Sequence, residues 1–226
     1  MRASRVVVVL LALSLLAGGA SAQVERAFRN QWFWGAQTGL MLYQTNVQPY
    51  YFDPGIGLHW LITREKSGLF VYYEHYLLLV DARACVLTQG QSSPFCGAES
   101  REVRFDQFRR ITFAALIFPS QGHLMPYAGL GFSLSQVVAP FFPNSEVFID
   151  ANEFNQAFQA VSDAATTPVG VLILGGQITV SKFHLFGQYT LTTPGANFLL
   201  KGTTHNWMGG MRYSFGSSRE DVTTKH

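Results

Sequence analysis

This 226-residue chain has little charge. Asp, Glu, Lys and Arg make up 13% of it, whereas a soluble domain usually carries ~25%. The 16 basic residues fall to 14 once Arg2 and Arg5 at the N-terminus are left out, and they then equal the 14 acidic ones. Equal numbers of basic and acidic residues, without a basic patch, argue against binding of nucleic acid and against a polybasic lipid-binding face. We therefore expect no nucleic-acid partner.

Long apolar runs are also lacking. After Leu16 no stretch approaches the ~18 consecutive apolar residues of a membrane helix. The run before it follows Arg2 and Arg5 and precedes Ala20-Ser21-Ala22, which fits a secretory signal with a small-residue cleavage site. The sequence predicts a signal peptide over 1–22 and one domain over 23–215. The polar segment 216–226 has no apolar period and is predicted to be a disordered tail.

Cysteine is scarce, with two residues in the chain, Cys85 and Cys96. They lie close together in a predicted loop of an exported protein, where thiols are usually oxidised. The spacing therefore predicts a disulfide that closes a small loop. No C-x-x-C motif and no histidine cluster accompanies them, so we expect no metal site and no cofactor.

Aromatic residues are plentiful, at 14% of the chain. Many fall in eight segments that alternate apolar and polar side chains, as half-buried strands do. Each has enough residues to cross a bilayer at a tilt. The predicted strands span residues 31–44, 50–62, 68–79, 103–118, 125–138, 169–178, 183–192 and 203–215. The sixth is apolar on both faces, so its parity stays open.

Short turns alternate with longer connections from the second outer loop onward. Long loops are predicted over 80–102, which contains both cysteines, and over 139–167. In the second, Phe154, Phe158 and Val161 recur at helical spacing and Asp150 with Glu153 resembles a capping box. An even number of strands with this loop pattern predicts an all-β, eight-stranded antiparallel up-and-down transmembrane β-barrel with a short helix on one outer loop.

Alternating parity directs a set of polar side chains into the barrel. Glu74 and Arg110 lie on neighbouring strands at similar distances from their turns, so we expect them to pair, since a buried charge needs a partner. The predicted interior polar network comprises Glu74, Arg110, Tyr72, Gln37, Gln188 and Arg212. Its structural interpretation is a plug, and its functional interpretation is a gate or ion path. Parity points His75 towards lipid, where it has no evident role.

The chain resembles the small bacterial outer-membrane barrels of the OmpA/OmpX type. The likeness rests on Pro126-Tyr127-Ala128-Gly129-Leu130-Gly131, on Gly175-Gly176, and on Gly209-Gly210-Met211-Arg212-Tyr213-Ser214-Phe215. The last segment looks like the assembly signal of such barrels, although Met208 stands where a polar residue is usual. The resemblance implies an outer-membrane location, outer-membrane lipid as surroundings, and contact with the barrel-assembly machinery through the terminal strand ending at Phe215.

Several functions remain open at this stage. The leading hypothesis is an outer-membrane barrel with a structural or surface-interaction role. A narrow channel or conduit for small apolar molecules is an alternative, suggested by Ala139-Pro140-Phe141-Phe142-Pro143. A lipid-modifying enzyme would need a histidine beside a serine, and His59, His184 and His205 show no such spacing, so we expect no enzyme. A secreted lipocalin-like binding barrel would need polar outward residues.

Overall fold

The computed structural model describes residue 28 and residues 30–88, 93–120 and 122–217. The predicted signal peptide over 1–22 lies outside these residues, as does the predicted tail from residue 218 onward. Among the residues that are described, no helix is long and apolar enough to cross a bilayer.

Eight strands form one closed antiparallel barrel in which each pairs with the next and β8 pairs with β1. One helix of the described chain, α1, lies between β5 and β6. The predicted fold is therefore confirmed, including the short helix on an outer loop. The elements are β1 (Gln31–Tyr43), β2 (Tyr51–Arg64), β3 (Ser67–Leu87), β4 (Ser100–Ile117), β5 (Leu124–Val138), α1 (Ala151–Ala164), β6 (Thr166–Val180), β7 (Phe183–Thr192) and β8 (His205–Ser217).

The two faces of each strand differ as the alternation predicts, because successive side chains of a strand point to opposite sides. On β7, His184 and Phe186 are buried inside the barrel while Leu185 is half exposed on its outer surface. The structure also settles the open parity of the sixth strand. Val171 and Ile173 point inward, and Leu174 and Ile178 point outward.

The two ends of the barrel are unlike. Short turns join β2 to β3, β4 to β5 and β6 to β7 at one end, where β1 begins and β8 ends. The turn before β7 is only Ser181-Lys182, and Ser181 takes a left-handed conformation with φ 60°, as two-residue hairpin turns require. Longer connections and α1 lie at the other end. In membrane barrels the short turns face the periplasm, so we refer to the end with α1 as the outer end.

The predicted long loop over 80–102 is wrong in its extent. β3 continues to Leu87 and β4 begins at Ser100. The pairing shifts between Leu77 and Ala82, and beyond that irregularity Ala82 and Ala84 point inward against Phe105 and Val103. β3 keeps its inward parity through the irregularity, but the consecutive apolar residues Leu77 to Val80 hide the alternation in the sequence, which is why the strand seemed to end early. β8 likewise runs to Ser217, two residues beyond the predicted domain boundary at Phe215.

Two apolar clusters fill the inside of the barrel. The inner cluster, towards the short turns, is mainly aromatic and includes Phe33, Phe70, Tyr72, Phe118 and Tyr127. The outer cluster continues up to α1. Its members include Met41, Tyr43, Tyr76, Phe105, Phe108, Val161, Leu199 and Leu200. Between them lies a layer of polar side chains.

Candidate functional site

Glu74 and Arg110 form the centre of this polar layer. They are direct register partners on β3 and β4, and both side chains are fully buried. The Arg110 guanidinium donates to Glu74 Oε2 from Nη2 and from Nε, the latter at 2.8 Å. Gln37 Nε2, from β1, reaches over Gly57 of the intervening β2 and donates to the other carboxylate oxygen at 3.1 Å. The charge of Glu74 is therefore fully paired.

Two residues outside the predicted network complete the layer. The Asn206 amide lies with its oxygen towards Arg110, accepting from Nη1 at 3.0 Å, and its nitrogen donates to the Tyr76 hydroxyl at 3.2 Å. Tyr76 shares the inward parity of Glu74 but is 130 residues from Asn206 in the chain. Inward parity could have suggested Tyr76. No local signal connects β8 with β3 across the inside of the barrel.

Arg212 lies in a separate environment on β8. Its guanidinium is 4.2 Å from the centre of the Phe186 ring and also faces Phe70 and Tyr127. None of its nitrogens has a hydrogen-bond partner among the described residues. Nearby, the Tyr127 hydroxyl donates to Gln188 Oε1 at 3.1 Å. Arg212 is thus surrounded by aromatic rings in cation–π contacts, whereas Arg110 forms an ion pair.

The structure places all six predicted interior residues inside the barrel, but in two groups rather than one network. Glu74, Arg110 and Gln37 share hydrogen bonds, whereas Arg212 and Gln188 lie among the inner aromatic residues. Tyr72 is buried in the inner cluster, and within the described chain its hydroxyl has no hydrogen-bond partner.

Histidines occupy three different settings. His59 fills the space that Gly35 leaves, since a Cβ there would lie 2.3 Å from His59 Nε2, and its ring meets Phe186 edge-on at 4.9 Å. His184 Nδ1 lies 2.9 Å from the Thr179 hydroxyl. His205 lies 2.6 Å from the Tyr189 hydroxyl. Within the residues that the structure describes, none of the three has a serine hydroxyl as a hydrogen-bond partner.

A second buried ion cluster holds the outer end together. We call this region the outer cap: the ends of β3 and β4 beyond the irregularity, the loop around Cys96, and segment 139–165 with α1. Arg101, at the start of β4, pairs with Glu153 of α1 and lies 3.5 Å from Glu146. Glu146 also accepts from the Ser93 hydroxyl and from the Glu102 N–H. Sequence reasoning missed this cluster, because its members are 44 to 53 residues apart in predicted loops.

Helix α1 begins as predicted, with Asp150 as N-cap accepting from the Glu153 N–H at 2.8 Å. The Glu153 carboxylate accepts from the Ile149 N–H at 2.7 Å. That backbone N–H and the Arg101 guanidinium hold the pKa of Glu153 below its usual value. One carboxylate therefore joins the helix, the preceding loop and β4.

Two further links fix the outer cap. The predicted disulfide between Cys85 and Cys96 is present, with the two Cα atoms 5.7 Å apart. Cys85 lies on β3 rather than in the loop. Phe141 pairs with Arg104 through two backbone hydrogen bonds of 2.9 Å, while the neighbouring Phe142 packs on the outer cluster and on Phe148. This geometry is that of a loop packed on the rim of the barrel, and not of a segment that lines a lateral opening.

A closed barrel with aliphatic and aromatic side chains outside and paired charges inside defines the class of eight-stranded transmembrane β-barrels. No protein-family model matches the chain, and no curated protein matches it. Among solved structures, the chain is similar to Neisserial surface protein A (NspA), with 12% identity over 81% of this chain and 97% of that chain and a TM-score of 0.54.

Two barrels of Pseudomonas aeruginosa also match. The N-terminal β-barrel domain of OprF has 8% identity and a TM-score of 0.41, over 83% of this chain and 98% of that chain. The outer membrane protein OprG has 11% identity and a TM-score of 0.43, over 84% of this chain and 99% of that chain. The similarity to NspA and the topology establish that this chain has the fold of the small bacterial outer-membrane barrels, as predicted.

Proposed function

We propose that the protein is a non-conducting barrel of the bacterial outer membrane that holds a rigid cap at the cell surface. The observation that carries this proposal is the filled interior. Eight strands enclose only enough space for side chains, and here an aromatic cluster, the Glu74–Arg110 layer and the outer apolar cluster follow one another along the axis. Such an interior suits a support rather than a pore.

The outer cap supports a role in surface interaction. It is held by the Arg101 cluster and by the Cys85–Cys96 bridge, so its shape does not depend on a partner. It exposes apolar side chains at Val147, Ile149 and Phe158. Exposed apolar groups that lie close together are typical of interaction sites, and a rigid cap presents them without an ordering cost on binding.

The alternatives have less support. A conduit for apolar molecules would use Phe141 and Phe142 at a lateral opening, but their backbone pairing and packing hold that segment against the rim. A lipocalin-like barrel would need a polar outer surface, and Ile56, Leu130 and Phe132 are more than half exposed on the outside. A lipid-modifying enzyme gains no support from the settings of His59, His184 and His205.

Two measurements test the proposal. Detergent-refolded protein should show a β-type circular dichroism spectrum and migrate differently on gels with and without boiling, because the closed barrel resists unfolding by detergent. A chain that stays soluble and monomeric without detergent would contradict the membrane location. In planar bilayers the refolded protein should produce no conductance steps, with a general porin in the same bilayer as the positive control.

The Glu74→Ala variant separates a plug from a gate. We expect it to lose stability and to stay silent in the bilayer, because the aromatic layers on either side remain in place. Conductance steps from a Glu74→Ala protein of unchanged stability would show that the polar layer is a gate, and the channel hypothesis would replace ours. Gln107→Ala, on β4 but not inside the barrel, is the control for loss of a polar side chain.

A further inference from the structure

The outer surface of the barrel carries a row of polar side chains in its outer half, and on β3 the exposed Leu77 and Leu79 continue the apolar surface beyond this row. His75, Arg109 and Gln136 occupy adjacent register positions on β3, β4 and β5, and all three have outward parity. His75 lies eight residues along β3 from Ser67. A strand rises ~3.3 Å per residue and is tilted by ~40°, so His75 lies about 20 Å from the short-turn end, measured along the barrel axis. The apolar band of such barrels is ~25 Å tall.

Arg109 marks the border of the apolar band on β4. Below it the outward positions are Ile111 and Phe113, and above it they are Gln107 and Asp106. Arg109 takes part in no ion pair among the described residues. Its Nε and the Nε2 of His75 have no hydrogen-bond partner there either, but both atoms are buried, so a ligand on the outer surface would meet the Nη atoms of Arg109. A cation on the lipid face lowers the stability of a barrel according to its depth, so an anion at this position would compensate for it.

An apolar groove of about 720 Å³ adjoins this row on the outer face of β1, β2 and β3. Its volume lies in the range of ~300–1,000 Å³ that is typical of ligand pockets. Small side chains on β1 and larger ones on β2 and β3 form its surface. The groove is lined by Ala36, Thr38, Ile56, Leu58, Tyr73 and His75, among others. His75 belongs both to the groove and to the polar row.

We propose that this groove and the His75–Arg109–Gln136 row form a binding site for a phosphate-bearing lipid of the outer leaflet. One acyl chain lies along the groove, and the phosphate accepts hydrogen bonds from the Arg109 guanidinium, with His75 and the Gln136 amide beside it. Arginine suits this role because its planar group donates to phosphate through two nitrogens. The inference rests on the proposed membrane location.

The combination of features selects a lipid rather than free phosphate. Apolar atoms form most of the surface of the groove, which suits an acyl chain better than a dissolved ion, and the groove opens on the lipid-facing surface. A guanidinium at the edge of an apolar band meets lipid headgroups before it meets dissolved anions. A phosphate-bearing lipid of the bilayer supplies both a negative charge to pair with Arg109 and an acyl chain to occupy the groove.

The test is native mass spectrometry of the full-length protein, refolded in neutral detergent and mixed with bisphosphorylated lipid A. We expect the wild-type protein to retain one lipid A molecule at detergent concentrations that strip other lipid. Arg109→Gln should lower the retained fraction at least tenfold, and monophosphorylated lipid A should be retained less than the bisphosphorylated form. Ala36→Leu, which fills the groove, should lower retention as well.

Matched controls accompany both changes. Arg83→Gln removes an arginine of β3 beyond the irregularity, and Ala115→Leu enlarges an outward alanine of β4 near the short turns. Both should retain lipid A as the wild type does. Gel mobility with and without boiling confirms that every variant is folded.

The outcomes are distinct. Equal retention by the wild type, Arg109→Gln and Ala36→Leu would overturn the proposed site while leaving the barrel in the membrane. Binding of inorganic phosphate alone at the same concentration, with no gain from the acyl chains, would overturn the lipid as ligand. A protein that stays soluble without detergent would overturn the proposed function itself.

Discussion

Arg110 donates to Glu74 from the directly opposite position on the neighbouring strand, at 2.8 Å for Nε. Both side chains are fully buried. Removal of one partner leaves the other charge buried without a counter-charge. We therefore expect Glu74→Ala to lower the free energy of unfolding by about 3–5 kcal/mol. Equilibrium unfolding in urea with the protein in detergent micelles measures the loss.

The exchange of both residues is the control for this pair. Glu74→Arg combined with Arg110→Glu keeps opposite charges at adjacent register positions. The double exchange should therefore lower the free energy of unfolding less than Glu74→Ala does. The exchanged carboxylate loses the Gln37 hydrogen bond, so part of the loss remains. Equal losses in the single and double variants would show that the two residues do not interact.

Arg110 and Arg212, two buried arginines of the barrel interior, should respond in opposite ways to substitution by methionine. Arg110→Met leaves Glu74 without its ion-pair partner and should destabilise the barrel strongly. Arg212 lies against Phe186 and forms no hydrogen bond with the described residues, so Arg212→Met should leave stability unchanged or raise it, since a buried cation is costly. Parallel urea titrations compare them. A large loss in Arg212→Met would reveal a partner for its charge.

The disulfide should stabilise the outer cap and not the barrel. Cys85 and Cys96 are 11 residues apart, and closing so short a loop contributes roughly 2–3 kcal/mol to the loop alone. In the Cys85→Ser/Cys96→Ser variant, limited proteolysis should cleave between β3 and β4 much faster. The difference in gel mobility with and without boiling should persist, and its loss in the variant would show that barrel closure depends on the bridge.

Acid should loosen α1. The Ile149 N–H and the Arg101 guanidinium lower the pKa of Glu153 in the folded protein. A carboxyl group whose pKa is lower in the folded state stabilises the folded protein at pH values above its unfolded pKa of ~4.3. This contribution is lost as the pH falls through the folded pKa. The protection of residues 149–157 against hydrogen exchange, taken relative to the intrinsic exchange rate at each pH, should therefore fall below pH 4.

Glu153→Gln provides the check on this assignment. Its protection against hydrogen exchange should already be low at neutral pH and should change less with pH, because the titrating carboxyl group is gone. Asp163→Asn, an exposed change on the same helix, should behave as the wild type. If Glu153→Gln and the wild type show the same pH profile, another group controls the helix.

The terminal strand should matter for assembly in cells more than for folding in vitro. Phe215 is two-thirds exposed and its ring lies 5.0 Å from that of Tyr213, so it contributes little to the interior. We expect Phe215→Ala to lower the amount of protein in the outer membrane while refolding in detergent is unchanged. Phe183→Ala, another outward aromatic change at the same end, is the control. Equal membrane levels for both variants would remove Phe215 as the contact with the assembly machinery.

The alternation of apolar and polar residues along the chain is sufficient to predict the barrel and the direction of most side chains. A strand alternates its side chains with a period of two wherever it lies, so the inward position of Glu74 and the outward position of Ile111 can be read locally. Equal distances from the short turns set the register of Glu74 and Arg110. The spacing of Cys85 and Cys96 sufficed for their bridge.

The contacts between inward residues, in contrast, follow from the closed barrel and not from the local sequence. Closure of β8 onto β1 brings Asn206 to Tyr76. The Gln37 side chain reaches over Gly57 of β2 to Glu74, while Arg212 lies among aromatic rings. The Arg101 cluster depends on how segment 139–165 folds back over β4. Local periodicity reports the face of a strand, but contacts across a closed barrel depend on strand order, stagger and side-chain length, which no local pattern contains.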